Sequence, residues 1–252
     1  QPNIDPYKEK FIHSQSHQIT TTLDLVKPYV NINLDFIIFP ETFLISPIWD
    51  HSYFKNPSIK TLNEFLYNQF MIDRKLQDEI NFSRLNILVG ATTFRLAKRS
   101  PTSKVLDPHA NTFYKVSNSA LHLQNPLNTD ELGFNISSLK IDSYHKSKLV
   151  PGAEQMPFQK YLFPFIGDQI LQIGSSTSLG NFSPQDSVSL FKANSQVENL
   201  NQEILTYFVA PIICYESIYG DYVRKFVRKG AEAIFIVTND GWWKNTSGYK
   251  QH

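Results

Sequence analysis

One cysteine, Cys214, stands in the 252 residues, so no disulfide can form within the chain. That leaves the compartment open, because periplasmic proteins can also lack disulfides. No apolar run reaches the ~18 residues that a helix needs to cross a bilayer. Basic and acidic side chains nearly cancel, 24 against 23, leaving a net charge of +1. No Lys/Arg-rich block breaks that balance, which removes the electrostatic argument for a nucleic-acid partner. The opening Gln1-Pro2-Asn3 has no charged and apolar leader, so no signal peptide is read there. Gln1 is not a native start, and the N-terminus is expected to be cut or processed.

What is present is an ordinary globular composition, 41% hydrophobic and 19% charged. The length suits one large α/β or all-β domain better than two small ones. Short β-rich runs alternate with helical stretches, which argues for α/β layering. Asp5-Pro6 reads as a helix start, with Ile12, Ile19, Leu23, Val26 and Val30 following at helical spacing. Asn56-Pro57 repeats that signal before Leu62, Phe65, Leu66 and Phe70. Strands are expected over 34–39, 85–93, 113–123, 138–144, 207–213 and 232–238. A helix is expected near 218–229, stopped by Gly230. Residues 98–111 read as a surface loop, and 174–194 as a long mobile excursion. The closing Gly248-Tyr-Lys-Gln-His252 follows without a further element, so truncation is expected at both ends.

Three polar residues fall at the ends of apolar strands: Glu41 after Phe-Ile-Ile-Phe-Pro, Lys146 in YHKSKLVP, and Cys214 in PIICYES. In open α/β sheets, sites collect at the carboxyl ends of strands. A thiol with a reference pKa of about 8.5 is mostly neutral at pH 7 and needs a base. Glu41 is a candidate for that base, and Lys146 for stabilising a thiolate or an oxyanion. The backbone N–H after Cys214 is a candidate for a second oxyanion donor. Taken singly, each residue has a plainer reading. Cysteine often only fills core space, and a Glu after Pro or a Lys near another Lys is usually solvated.

The joint pattern resembles the nitrilase (carbon–nitrogen hydrolase) superfamily. Its motifs are FPE at 39–41, YHKSKLVP at 144–151 and CYE at 214–216. With LVPGAEQMP at 149–157, NSALHL at 118–123 and TNDGWWKNTSGYKQH at 238–252, it is similar to the apolipoprotein N-acyltransferase family. The resemblance implies an α/β fold, an αββα sandwich of nitrilase type formed by residues 1–252. It also implies a membrane-helix region upstream. The implied reaction moves an acyl group from a membrane phospholipid to the N-terminal cysteine amine of apolipoproteins, through a thioacyl enzyme. Glu41 then matches the general base, Lys146 the oxyanion-stabilising lysine and Cys214 the nucleophile. Glu154, Tyr215, Glu216 and Trp242 match supporting or substrate-binding positions. Phospholipid donor, apolipoprotein acceptor and membrane are the implied partners, with no cofactor. The implied location is the bacterial inner membrane, with this domain on the periplasmic side. The family usually has Phe-Gly after LVP, where this chain has Gly152-Ala153.

The same triad would also serve a soluble amidase acting on a small amide, with water as second nucleophile. A non-catalytic lipid- or protein-binding module of the same fold is the third reading. His13 and His17, four apart on an expected helix, could hold zinc but lack a third ligand nearby, so no metal site is expected. Trp242-Trp243 reads as a lipid-facing anchor or as core. The aromatics of 158–165 read as an acyl-chain groove or as core, and 174–194 as a lid or an ordinary loop.

Overall fold

A computed structural model describes residues 13–30, 34–76, 85–107, 109–124, 140–155, 182–196 and 204–239. Two helices open the described chain, α1 (Gln15–Val26) and α2 (Pro57–Leu76). Ser14 caps α1: its hydroxyl accepts the His17 N–H at 3.2 Å. Asp5 and Ile12 lie outside the described residues. Pro28 sits in the short 3₁₀ turn Lys27–Tyr29, so Val30 falls beyond the helix. At α2 the expected cap is present, with Asn56 Oδ1 accepting from Ser58 and Ile59 at 2.9 and 3.3 Å.

The larger sheet is built on a long antiparallel pair, β3 (Asn86–Ala97) and β5 (Thr112–Gln124). The outer edge of β3 takes β1 (Phe36–Ile38) and then β2 (Leu44–Trp49), both parallel to it. The outer edge of β5 takes β6 (Lys140–His145) and then β4 (Ser103–Asp107), both antiparallel. A second sheet has the order β7 (Phe191–Gln196), β8 (Ile204–Ile213), β9 (Ala233–Val237). Between β8 and β9 runs α3 (Gly220–Arg228), ended by Gly230 at φ +100°.

Period-2 alternation in the central strands feeds two cores. Ile87, Val89, Leu121 and Leu123 pack against Ile19 and Leu23 of α1 and Ile59, Leu62 and Leu66 of α2. Leu88, Ala120 and Tyr144, on the opposite face, pack against Phe191, Val209 and Ile213 of the second sheet and Tyr222 and Phe226 of α3. Burying one Leu or Ile of this kind stabilises by roughly 1.5–3 kcal/mol. The molecule is thus mixed α/β, with helices on one face of the larger sheet and the second sheet on the other.

Three strands depart from the sequence reading. The expected loop over 98–111 contains β4, an edge strand whose polar SKVLD lacks an apolar signal. Part of the expected excursion is β7, where buried Phe191 and Ala193 flank exposed Lys192. Pro47 masks β2, and an edge strand tolerates it.

Candidate active site

The site forms where the edge strands hand over. β1 ends and β2 begins around the turn that carries Glu41, beside Gly90 of β3. A Cβ on Gly90 would lie 2.4 Å from the Pro40 carbonyl oxygen, 2.6 Å from Glu41 Cα and 2.7 Å from Thr42 N. Only glycine lets the turn settle there. Thr42 itself has φ +48°. On the far edge, β6 ends at His145 and Lys146 leaves the sheet with its N–H bonded to the Asn118 carbonyl at 2.8 Å. In the second sheet β8 ends at Ile213, and Cys214 opens a 3₁₀ turn, Cys214–Ile218, at φ +47°. Left-handed backbone at a non-glycine residue costs of order 1–3 kcal/mol and clusters at functional sites.

These three breaks bring Glu41, Lys146 and Cys214 together. Lys146 is 1% exposed, and its ammonium donates to Glu41 Oε1 at 3.1 Å and to Glu154 Oε1 at 3.0 Å. The Cys214 side chain lies beside the Glu41 carboxylate, the Lys146 ammonium and the Thr238 side chain, all of which act on its thiol. Glu154 is held in turn by the Val150 N–H at 2.8 Å. The Gly152-Ala153 departure is absorbed in this turn, where Gly152 takes φ +82°. A buried ammonium between two carboxylates is the pairing that makes its burial tolerable.

Asn118 is the residue that sequence reasoning left unassigned. Its side-chain amide donates to Glu41 Oε1 at 2.7 Å and to Glu154 Oε1 at 3.0 Å, so it ties both carboxylates to β5. It stood inside the quoted NSALHL motif; a buried Asn at a strand position is the signal that could have found it. Thr238 and Gly90 were also unassigned.

Burial pushes the Cys214 thiol up to about 12, the Glu41 charge adds to that rise, and Lys146 and Thr238 oppose it. The resting sulfur is therefore a neutral thiol beside Glu41. Burial works against the charge on Lys146, yet Glu41 and Glu154 outweigh it and raise its pKa. Lys146 stays an ammonium.

Glu216 is fully buried. Its Oε1 accepts the Ser147 N–H at 2.6 Å, the Lys148 N–H at 3.2 Å and the Tyr144 hydroxyl at 2.7 Å. Its Oε2 accepts the Ile213 N–H at 2.9 Å. One carboxylate thus staples the Lys146 loop to the Cys214 elbow. Burial raises its pKa, against these donors. Tyr215 is not drawn into this network; its ring packs edge-on against Tyr219 at 5.2 Å. Trp242 and the aromatics of 158–165 lie outside the described residues. His13 and His17 rings lie 4.9 Å apart, and among the described residues no group of three metal-ligating side chains occurs. No described helix is long and apolar enough to cross a membrane.

No family model matches the chain. Curated proteins do. An apolipoprotein N-acyltransferase of Chlorobaculum tepidum is 32% identical over 120 residues, 44% of this chain and 19% of that protein. One of Borreliella burgdorferi is 30% identical over 132 residues, 51% of this chain and 21% of that protein. Apolipoprotein N-acyltransferase 1 of Treponema denticola is 25% identical over 271 aligned residues, which cover 100% of this chain and 40% of that protein. The chain therefore spans well under half the length of the relatives it matches. The family read from the motifs is the one these relatives bear, and across its length this chain is similar to apolipoprotein N-acyltransferases.

Proposed function

We propose that this chain is the catalytic domain of a lipoprotein N-acyltransferase, with Cys214 as nucleophile, Glu41 as general base and Lys146 as oxyanion stabiliser. The observation that carries the reading is the thiol facing a carboxylate that a buried ammonium also contacts. In the first half-reaction Glu41 takes the thiol proton as sulfur attacks the ester carbonyl of a phospholipid. The carbonyl oxygen becomes an oxyanion, met by the Lys146 ammonium and the Tyr215 backbone N–H. Collapse breaks the ester C–O bond. Glu41 returns its proton to the departing alkoxide, leaving a thioester on Cys214 and a lysophospholipid. In the second half-reaction the lipoprotein amine attacks the thioester, Glu41 takes its proton, and the thiolate leaves and is reprotonated.

Glu154 and Asn118 hold Lys146 and Glu41 in register, and Glu216 holds the loop to the elbow. Tyr215 and Trp242 are taken as supporting or substrate-binding residues. The membrane, through helices upstream of this domain, brings the donor to the site, and the domain works on the periplasmic side of the inner membrane.

The test uses the intact protein in phospholipid vesicles with a diacylated lipopeptide. Labelled acyl chain should appear on the lipopeptide amine, and Cys214→Ala should abolish it. Ammonia release from small amides, with no label transferred, would replace the reading by a hydrolytic amidase.

A further inference from the structure

Tyr222 belongs to neither the triad nor the residues that the motifs single out, yet it touches the site's scaffold at both ends. It sits on α3 and is 5% exposed. Its hydroxyl lies 2.8 Å from the Tyr144 hydroxyl, and that hydroxyl lies 2.7 Å from Glu216 Oε1. An ionised carboxylate only accepts, so Tyr144 donates to Glu216. The Tyr144 oxygen is then left to accept, and Tyr222 is the donor. The proton order is Tyr222 to Tyr144 to Glu216, a chain in which each bond polarises the next. At the other end the Lys148 ammonium stands 5.4 Å from the centre of the Tyr222 ring. Lys148 is also one of the two residues whose backbone N–H groups Glu216 clamps. The ring is fixed from below by Phe226, 5.5 Å away at 84°.

We infer that Tyr222 is a positioning residue: through Tyr144 and Glu216 it holds the Lys146 loop against the Cys214 elbow. The inference rests on Cys214 being the reactive group, but not on the acyl donor. Among the described residues no cation pairs with Glu216; four direct hydrogen-bond donors and one relayed hold it instead. Removing the relayed donor weakens the strongest side-chain bond to Glu216. The amides of Ser147 and Lys148 then hold less firmly, and Lys146, the residue before them, shifts from Cys214. The groups that face the thiol are Glu41 from the turn after β1, Lys146 from the loop after β6, and Thr238 after β9. Those facing Glu216 are Tyr144 from β6 and, through it, Tyr222 from α3. Among these, Lys146 alone favours the thiolate by its charge, so any retreat of Lys146 makes the sulfur harder to ionise.

Alkylation of Cys214 by iodoacetamide reads this directly, because the chain has no other cysteine and the reaction needs no lipid. The rate is followed from about pH 7 to pH 10, across the ordinary thiol range, on wild type, Tyr222→Phe, Tyr144→Phe and the double variant. Tyr222→Phe should displace the whole profile to higher pH, slowing alkylation about tenfold at each pH, one unit of thiol ionisation. The double variant should be slower than Tyr144→Phe by clearly less than the Tyr222→Phe effect alone, because the Tyr222 hydroxyl acts mainly through Tyr144 and otherwise only on Ser147 of the same loop. A cooperative melting transition checks that each variant is folded. Should Tyr222→Phe fail that check, Tyr144→Phe carries the displacement test. A profile that superimposes on wild type while the melting temperature falls would overturn the inference and leave Tyr222 a packing residue. Additive slowing in the double variant would overturn the relay. Loss of acyl transfer with an unshifted alkylation profile would count against this inference and leave the proposed activity standing.

Discussion

Gly90→Ala puts a methyl group where the turn that carries Glu41 rests on the sheet. The backbone of β3 is extended there, so alanine meets no conformational barrier and slightly restricts the unfolded chain, worth about 0.4–1 kcal/mol in its favour. The clash outweighs that gain. The new Cβ would stand 2.4 to 2.7 Å from three backbone atoms of Pro40, Glu41 and Thr42, none of which belongs to a flexible side chain. Unstrained contacts lie near ~3.5–4.0 Å, so the turn must retreat by about 1 Å. β3 cannot yield instead, because residue 90 is paired with Ala120 in the middle of the long ladder between β3 and β5. Retreat stretches the Asn118–Glu41 bond from 2.7 Å and the Lys146–Glu41 bond from 3.1 Å, beyond useful hydrogen-bond length. Overpacking of this kind costs about 1–3 kcal/mol of stability. A misplacement of about 1 Å at a catalytic group costs on the order of 10²-fold in rate. Thermal melting and acyl-transfer kinetics on the purified variant measure the two separately. Activity within twofold of wild type, in a folded protein, would refute the claim that Gly90 sets the place of Glu41.

Lys146→Ala should lower the rate of acyl transfer by about 10²-fold or more, as for a lost oxyanion donor; an effect confined to KM would show the wrong role. It also leaves the buried Glu41 and the partly buried Glu154 carboxylates without their cation, so urea denaturation should register a loss of roughly 3–5 kcal/mol. Asn118→Leu removes donors to both carboxylates and should slow transfer while costing about 1.5–3 kcal/mol by the same denaturation. Because the thiol is pushed up to about 12, alkylation of wild-type Cys214 should climb roughly tenfold per pH unit through the ordinary thiol range. A plateau near neutral pH would mean a preformed thiolate paired with Lys146, and Glu41 would not be needed as base.

How far the sequence carried varies by residue for physical reasons. Strands whose apolar residues fill a core were plain, as in Leu85 to Thr93 and Tyr207 to Ile213, because burial demands a continuous apolar run. β4 and β7 were hidden because edge strands with polar or Ser/Asn-rich faces lack that run. Glu41 and Cys214 stood out because each follows an apolar run, whereas Lys146 follows the largely polar KIDSYH strand and was singled out by its motif; the structure brings the three together. Asn118, Gly90 and Thr238 were not assigned, since their roles depend on which backbones approach one another across the sheet, and spacing along the chain does not encode that. Glu216 was marked by its place in CYE, but its work as a staple between residues 147–148 and 213 required the packed sheets.

The central claim is that Cys214 carries the acyl group. Mass spectrometry of the intact protein, quenched after exposure to phospholipid without an amine acceptor, tests it most directly. One acyl group on Cys214, released by hydroxylamine and absent from Cys214→Ala, is the expected result. A protein that goes on to acylate a lipopeptide while Cys214 stays unmodified, or a Cys214→Ala variant that transfers at the wild-type rate, would contradict it.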